Sequence, residues 1–195
     1  MAHVRATTTG AVQLSNCHPF KYKNWLFQHN GDVTNFKKLR RDLQMDIAPE
    51  LYPYLKGTTD SETFFLLALT YGLQDNPRKA LQKMVHRIYK AMVDNGQTDG
   101  HLNLSCALSD GQKLYTLRYS YNVPSKTQFY SSQLGWLDDV DPPVEGASYF
   151  PNKNIIVVSE PLDGFDDKWT EIPKNSFATI FQSEVQVETF MDTAL

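Results

Sequence analysis

The chain is 195 residues long, 41% hydrophobic and 12% aromatic, enough for one domain spanning residues 1–195 with a substantial core. Its net charge of −3 leaves no basic footprint of the kind a phosphate backbone demands, so nucleic acid is excluded as an expected partner. Two cysteines, Cys17 and Cys106, cannot make a disulfide framework, no apolar run approaches the ~18 residues of a membrane helix, and the first residues lack a signal-peptide pattern. The expectation is a cytoplasmic protein with no membrane partner.

His3 to Gly10 is rich in β-branched residues and closes on glycine, which reads as a strand leading to a turn. A strand that begins at the first residue needs a neighbour, so the expectation is a further N-terminal segment or, alternatively, an ordinary edge strand. Asn16-Cys17-His18-Pro19-Phe20 comes next as a loop, because proline disfavours helix at the residue before it. Cys17, His18 and His29 invite a zinc or Cys-His nucleophile reading, but adjacent Cys-His lacks ligand spacing and nothing in the sequence lowers the thiol pKa. The simpler reading of Cys17 is an inert side chain.

Trp25-Leu26-Phe27 suits a buried strand, and Asn30-Gly31 is a turn dipeptide, so the strand is expected to stop there. Asp32 then caps a helix starting at Val33, which places the Asn30 side chain and the Gly31 amide beside a helix N-terminus, a donor-rich corner suited to an oxyanion. A plain strand–turn–helix connection is the simpler reading of His-Asn-Gly taken alone. From Val33 to Gln44, Phe36, Leu39 and Leu43 recur at helical spacing, with Lys37, Lys38, Arg40 and Arg41 on the solvated side. Pro49 and Pro53 limit the stretch from Asp46 to Lys56 to a short helix or turn.

Thr59 and Glu62 form a capping-box pattern ahead of Phe64-Phe65-Leu66-Leu67-Ala68-Leu69, so a helix begins here and is buried on all sides. Its first turn fixes Asp60, whose plainer role is to favour the helix dipole. Asn76-Pro77 opens another helix, Ala80 to Met92 carries one apolar face, and Asn95-Gly96 ends it. Beyond Gly100 the pattern turns to β. His101–Leu108 and Lys113–Arg118 read as a hairpin around Asp110-Gly111, with later strands at Asn154–Ser159, Ser176–Phe181 and Val185–Thr189. Val123 to Gly146 reads as a long loop. The order of elements points to an α+β fold with sheets covered by helices.

His3-Val4-Arg5…Thr8…Gly10, Asn16-Cys17-His18-Pro19, His29-Asn30-Gly31 and Thr59-Asp60-Ser61-Glu62 together resemble the class II glutamine amidotransferases. Asp110-Gly111 before Arg118-Tyr119, and Ser159-Glu160-Pro161-Leu162 before Trp169 and Ile172-Pro173, are similar to the small stand-alone members that hydrolyse glutamine or γ-glutamyl compounds. The resemblance covers most of the chain. It implies an N-terminal nucleophile hydrolase fold, an αββα sandwich of two antiparallel sheets between helices, here N-terminally incomplete. It also implies that Arg5 holds the α-carboxylate of the glutamyl group, Asp60 its α-ammonium, and Thr8 a hydroxyl contact, while the Asn30 amide and Gly31 N–H form the oxyanion hole. His18 and His29 are expected to order loops rather than transfer protons.

The family's nucleophile is a cysteine at the mature N-terminus whose own α-amino group acts as base; this sequence has no such cysteine. The expected function is hydrolysis of a glutamine or γ-glutamyl γ-amide with a nucleophile from outside these residues. The alternatives are a non-catalytic γ-glutamyl-binding homologue and a hydrolase using Cys17 with a nearby histidine. No cofactor is implied, the partner is a small-molecule glutamine or γ-glutamyl compound, and the resemblance leaves room for a separate synthase or peptidase subunit.

Overall fold

The computed structural model describes residues 1–3, 13–131, 155–162 and 168–191. The expected strand over His3–Gly10, with Arg5 and Thr8, lies almost wholly outside them, as do Asn154 and most of the expected long loop. Six antiparallel strands form the larger sheet: β1 Phe20–Tyr22, β2 Trp25–Val33, β3 Leu102–Ser109, β4 Leu114–Tyr121, and a final hairpin, Ser176–Phe181 and Glu184–Thr189, whose first strand joins β4. A second, three-stranded antiparallel sheet has β5 Phe129–Ser131 at its centre, flanked by β6 Val157–Val158 and β7 Trp169–Glu171. The final hairpin is accordingly β8 and β9. Three helices, α1 Phe36–Met45, α2 Asp60–Thr70 and α3 Pro77–Asp94, complete the α+β architecture.

Alternation along β2 decides which face of the larger sheet meets the helices. Trp25, Phe27, His29 and Val33 are buried, and Phe27 stacks on Phe65 of α2 with ring centroids 5.3 Å apart. Leu104, Cys106, Leu108 and Leu117 continue that apolar face across β3 and β4. The opposite face is polar. Arg118, in register with Ser105 and through it with Asn30, donates to Glu171 of β7 at 2.6 Å and to the Lys126 carbonyl at 2.7 Å. These bonds tie the second sheet to the face opposite the helices.

Helix α2 is the centre of the helical layer. Its residues from Ser61 to Leu69 are all buried, as the absence of a polar stripe requires, and it packs on β2 and between α1 and α3. Its cap departs from expectation. Thr59 accepts from the Glu62 N–H at 3.2 Å, but the Glu62 carboxylate turns outward from the cap and takes the Lys56 and Gly57 amides at 2.9 and 2.7 Å. A preceding loop that needs two acceptors competes successfully for the carboxylate. Helix α3 begins with Pro77 in its first turn behind an Asn76 cap and ends at Asn95, as expected from the sequence.

Two local readings are corrected. β2 does not stop at Asn30-Gly31; it continues to Val33, because Asn30, Gly31 and Asp32 all find partners on β3. Nor does Asp32 cap α1. That helix starts at Phe36 behind Asn35, which sits in the left-handed region at φ 48°, while Asp32 bonds the His101 imidazole at 2.6 Å. The expected loop over Val123–Gly146 contains β5, a three-residue strand too short for periodicity to reveal.

Candidate functional site

One cleft of about 1320 Å³ runs beside β2 and takes in residues from both faces of the larger sheet; it is lined by Asn30, Gly31, Asp60 and Ser61, with His18 and Gln128 among its other walls. Hydrogen-bond register explains how an amide in mid-strand can face it. Thr34 N–H donates to the His101 carbonyl at 3.0 Å, so the hydrogen-bonded pairs between β2 and β3 fall on even-numbered residues of β2. Gly31 opposite Leu104 is then a non-hydrogen-bonded pair, and its N–H points away from β3 toward the other edge of β2. On that edge β1 pairs with β2 only from Trp25 to Phe27. Among the described residues no strand covers Gly31 there. The donor is thus left open by parity and by a short neighbour rather than by a strand end.

Gly31 is glycine for reasons of space. A Cβ at this position would lie 2.0 Å from the Asn103 carbonyl oxygen and 2.5 Å from His29 Nε2. That imidazole is buried, 3% exposed, and joins three elements. Nε2 bonds the Asn103 carbonyl on β3 at 3.1 Å and Nδ1 bonds Ser61 Oγ on α2 at 3.0 Å. A carbonyl only accepts, so Nε2 carries the proton. Alternation could have shown this inward position: His29 shares the parity of Trp25 and Phe27.

Asp60 reaches the same cleft from the first turn of α2. Its Oδ1 accepts the Ser61 N–H at 2.7 Å, and the loop leading to it is clamped on two sides. Glu62 holds the Lys56 and Gly57 amides, and Asn16 Oδ1 accepts the Thr58 N–H at 2.9 Å. Gly57 packs so closely that a Cβ would lie 2.5 Å from Asn16 Oδ1. Sequence patterning assigns neither clamp, because the contact between Asn16 and Thr58 spans 42 positions.

Neither cysteine lines the cleft. Cys106 is fully buried on the apolar face, and burial, with the nearby Asp60 charge, pushes its thiol pKa far up. Cys17 is exposed, directs its Sγ to the Gln13 carbonyl at 3.6 Å, and is not part of the cleft lining. His18 does face the cleft, with ring contacts to His3 and Phe20 at 4.3 and 4.8 Å.

The two stacked antiparallel sheets, with helices over the larger one, are the layers of an N-terminal nucleophile hydrolase-like fold. The family model for class-II glutamine amidotransferases matches residues 1–194, and the chain belongs to that family. It is 30% identical over 214 aligned positions to DUG3 of Saccharomyces cerevisiae, named a probable glutamine amidotransferase. That match covers 98% of this chain but 59% of the yeast protein, so the chain spans about three fifths of its length. A glutamine aminotransferase class-II domain protein from Silicibacter pomeroyi superposes with a TM-score of 0.75 at 34% identity, over 93% of this chain and 74% of the other. Glutamine phosphoribosylpyrophosphate amidotransferase from B. subtilis shares the fold, with a TM-score of 0.53 at 15% identity over 98% of this chain and 34% of that one.

Proposed function

We propose that residues 1–195 form a single glutamine amidotransferase type 2 domain that hydrolyses the γ-amide of glutamine or of a γ-glutamyl compound. The observation that carries this reading is the convergence of the open Gly31 N–H, the exposed Asn30 side chain and the Asp60 carboxylate on one cleft. Asn30 and Gly31 supply the two donors of an oxyanion hole, and loss of one such donor costs about 2.7–4 kcal/mol of transition-state stabilisation. Asp60 holds the α-ammonium of the glutamyl group. Arg5 takes its α-carboxylate through a bidentate fork, and Thr8 adds a hydroxyl contact.

The chemistry requires a thiolate; as Cys17 is not part of the cleft lining and Cys106 is buried, this reading gives that role, as the family resemblance implies, to an N-terminal cysteine that this sequence does not contain. Its sulfur attacks the γ-carbonyl carbon while its α-amino group, with a pKa near ~8, takes the thiol proton. The carbonyl oxygen becomes an oxyanion held by Asn30 and Gly31. Collapse expels the amine with that proton, and water then cleaves the thioester to release glutamate. The reaction needs no cofactor. The setting proposed is cytoplasmic, with a small-molecule glutamine or γ-glutamyl substrate and a separate synthase or peptidase subunit as the route by which ammonia or product moves on.

The poor placement of both cysteines also favours a second reading, a non-catalytic homologue that grips γ-glutamyl groups. Calorimetric titration with L-glutamate addresses what the two share: binding is expected, and Asp60→Asn should weaken it at least about tenfold. Absence of binding refutes both. N-terminal sequencing of protein from its native source then separates them, since a first-residue cysteine supports hydrolysis and any other residue supports binding alone.

A further inference from the structure

The buried His29 imidazole lies between the two halves of the site. It sits one residue before Asn30 on β2, and its Nδ1 is 3.0 Å from the hydroxyl of Ser61, the residue after Asp60 on α2. The same hydroxyl is 3.3 Å from Asp60 Oδ1. The Ser61 hydroxyl donates to that carboxylate oxygen, and its own oxygen is held in place by the imidazole, which is anchored through Nε2 on the Asn103 carbonyl. The Ser61 N–H holds the same Oδ1 at 2.7 Å. Both bonds fall on Oδ1, so the carboxylate is fixed from one side and, among the described residues, Oδ2 is left to the cleft.

We infer that His29 and Ser61 are positioning residues that keep the Asp60 carboxylate oriented toward the cleft, where it receives a primary ammonium group. The imidazole also fixes the spacing between that carboxylate and the Asn30-Gly31 donors, since it bonds β3 and α2 from β2 at once. Its ring contacts are aromatic: Phe27 and Phe64 lie 6.4 and 5.7 Å away by centroid. Those neighbours define its plane and leave the two nitrogens no other described partners. This inference rests on the reading of Asp60 as the ammonium-binding group.

The test compares two ligands that differ only in the ammonium, L-glutamate and glutarate, by calorimetric titration of the full chain. Wild type should bind L-glutamate more tightly than glutarate. Ser61→Ala, which removes the link between Asp60 and the imidazole, should weaken L-glutamate about tenfold and leave glutarate within twofold, the scale of one hydrogen bond at a charged group. His29→Phe should show the same selective loss, and His29→Asn, whose amide can stand in for the imidazole against Ser61 Oγ, should recover most of it. Circular dichroism confirms that each variant is folded before titration. A folded Ser61→Ala protein that binds L-glutamate like wild type overturns the inference, as does equal weakening of both ligands, which marks a merely structural role. If wild type itself shows no preference for L-glutamate over glutarate, the ammonium reading of Asp60 fails, and the inference falls with it.

Discussion

Replacing Gly31 by alanine tests the geometry at its tightest point. The new methyl would sit 2.0 Å from the Asn103 carbonyl oxygen and 2.5 Å from His29 Nε2, against roughly 3.5–4.0 Å for a relaxed carbon contact. Neither neighbour can yield freely. Asn103 is backbone in a paired strand, and His29 is packed between aromatic rings and bonded at both nitrogens. Forcing β2 and β3 apart costs about 1–3 kcal/mol as overpacking. Breaking the bond from Nε2 to Asn103 strands a buried donor for about 1–3 kcal/mol more. The expected loss is about 2–6 kcal/mol, or roughly 5–20 °C in Tm for a chain of this length. Urea denaturation monitored by circular dichroism measures it. Gly96→Ala is the control: φ is +70° there but nothing lies within 4 Å, so only backbone strain of about 1–2 kcal/mol should appear. A Gly31→Ala protein within about 0.5 kcal/mol of wild type would refute the claim that close approach, not conformation, demands this glycine.

Glu62→Ala removes the acceptor of the Lys56 and Gly57 amides, the second of them buried; a stability loss of about 1–4 kcal/mol is expected, together with weaker L-glutamate binding as the loop before Asp60 loosens. In native protein at pH 8, a thiol reagent such as dithionitrobenzoate should modify Cys17 alone, and Cys106, buried with its pKa pushed up, should react only after unfolding. Two fast thiols would contradict the placement of Cys106. Burial first, and then nearby Asp46, Asp110 or Tyr121, raises Tyr71, Tyr115 and Tyr119 to about 12 in the folded chain. Folded values above the unfolded ~10 mean that these groups favour the fold fully below pH ~10 and that their contribution is lost as pH rises toward 12. Absorbance at 295 nm should therefore show a late tyrosine titration accompanied by loss of stability; ordinary titration near pH 10 of every tyrosine would refute it.

Much of this arrangement was legible in the sequence because it depends on near neighbours. Apolar spacing located α1, α2 and α3, and Asn76-Pro77 and Asn95-Gly96 marked the ends of α3. The unbroken apolar run from Phe64 to Leu69 foretold a helix buried on every side. Coupled motifs, rather than any one of them, carried the resemblance to the family that the chain proves to belong to. Where one local signal met a stronger distant one, the local reading gave way. Asn30-Gly31 has the chemistry of a turn, yet eight residue pairs with β3 draw it into a strand. Glu62 is placed to close its own cap, yet two amides of the preceding loop take it instead.

Sequence by itself determined the helices and most of the strands, since propensity, periodicity and capping act over a few positions. Only the tertiary structure decided that the Gly31 N–H turns away from β3 to an edge that β1 does not reach, because ladder parity and the length of β1 are properties of paired strands. It alone also joined His29 to Ser61 and Asn103, across 32 and 74 positions. Bonds of that span form when packing brings the chain back on itself, and no local pattern encodes which partner will arrive.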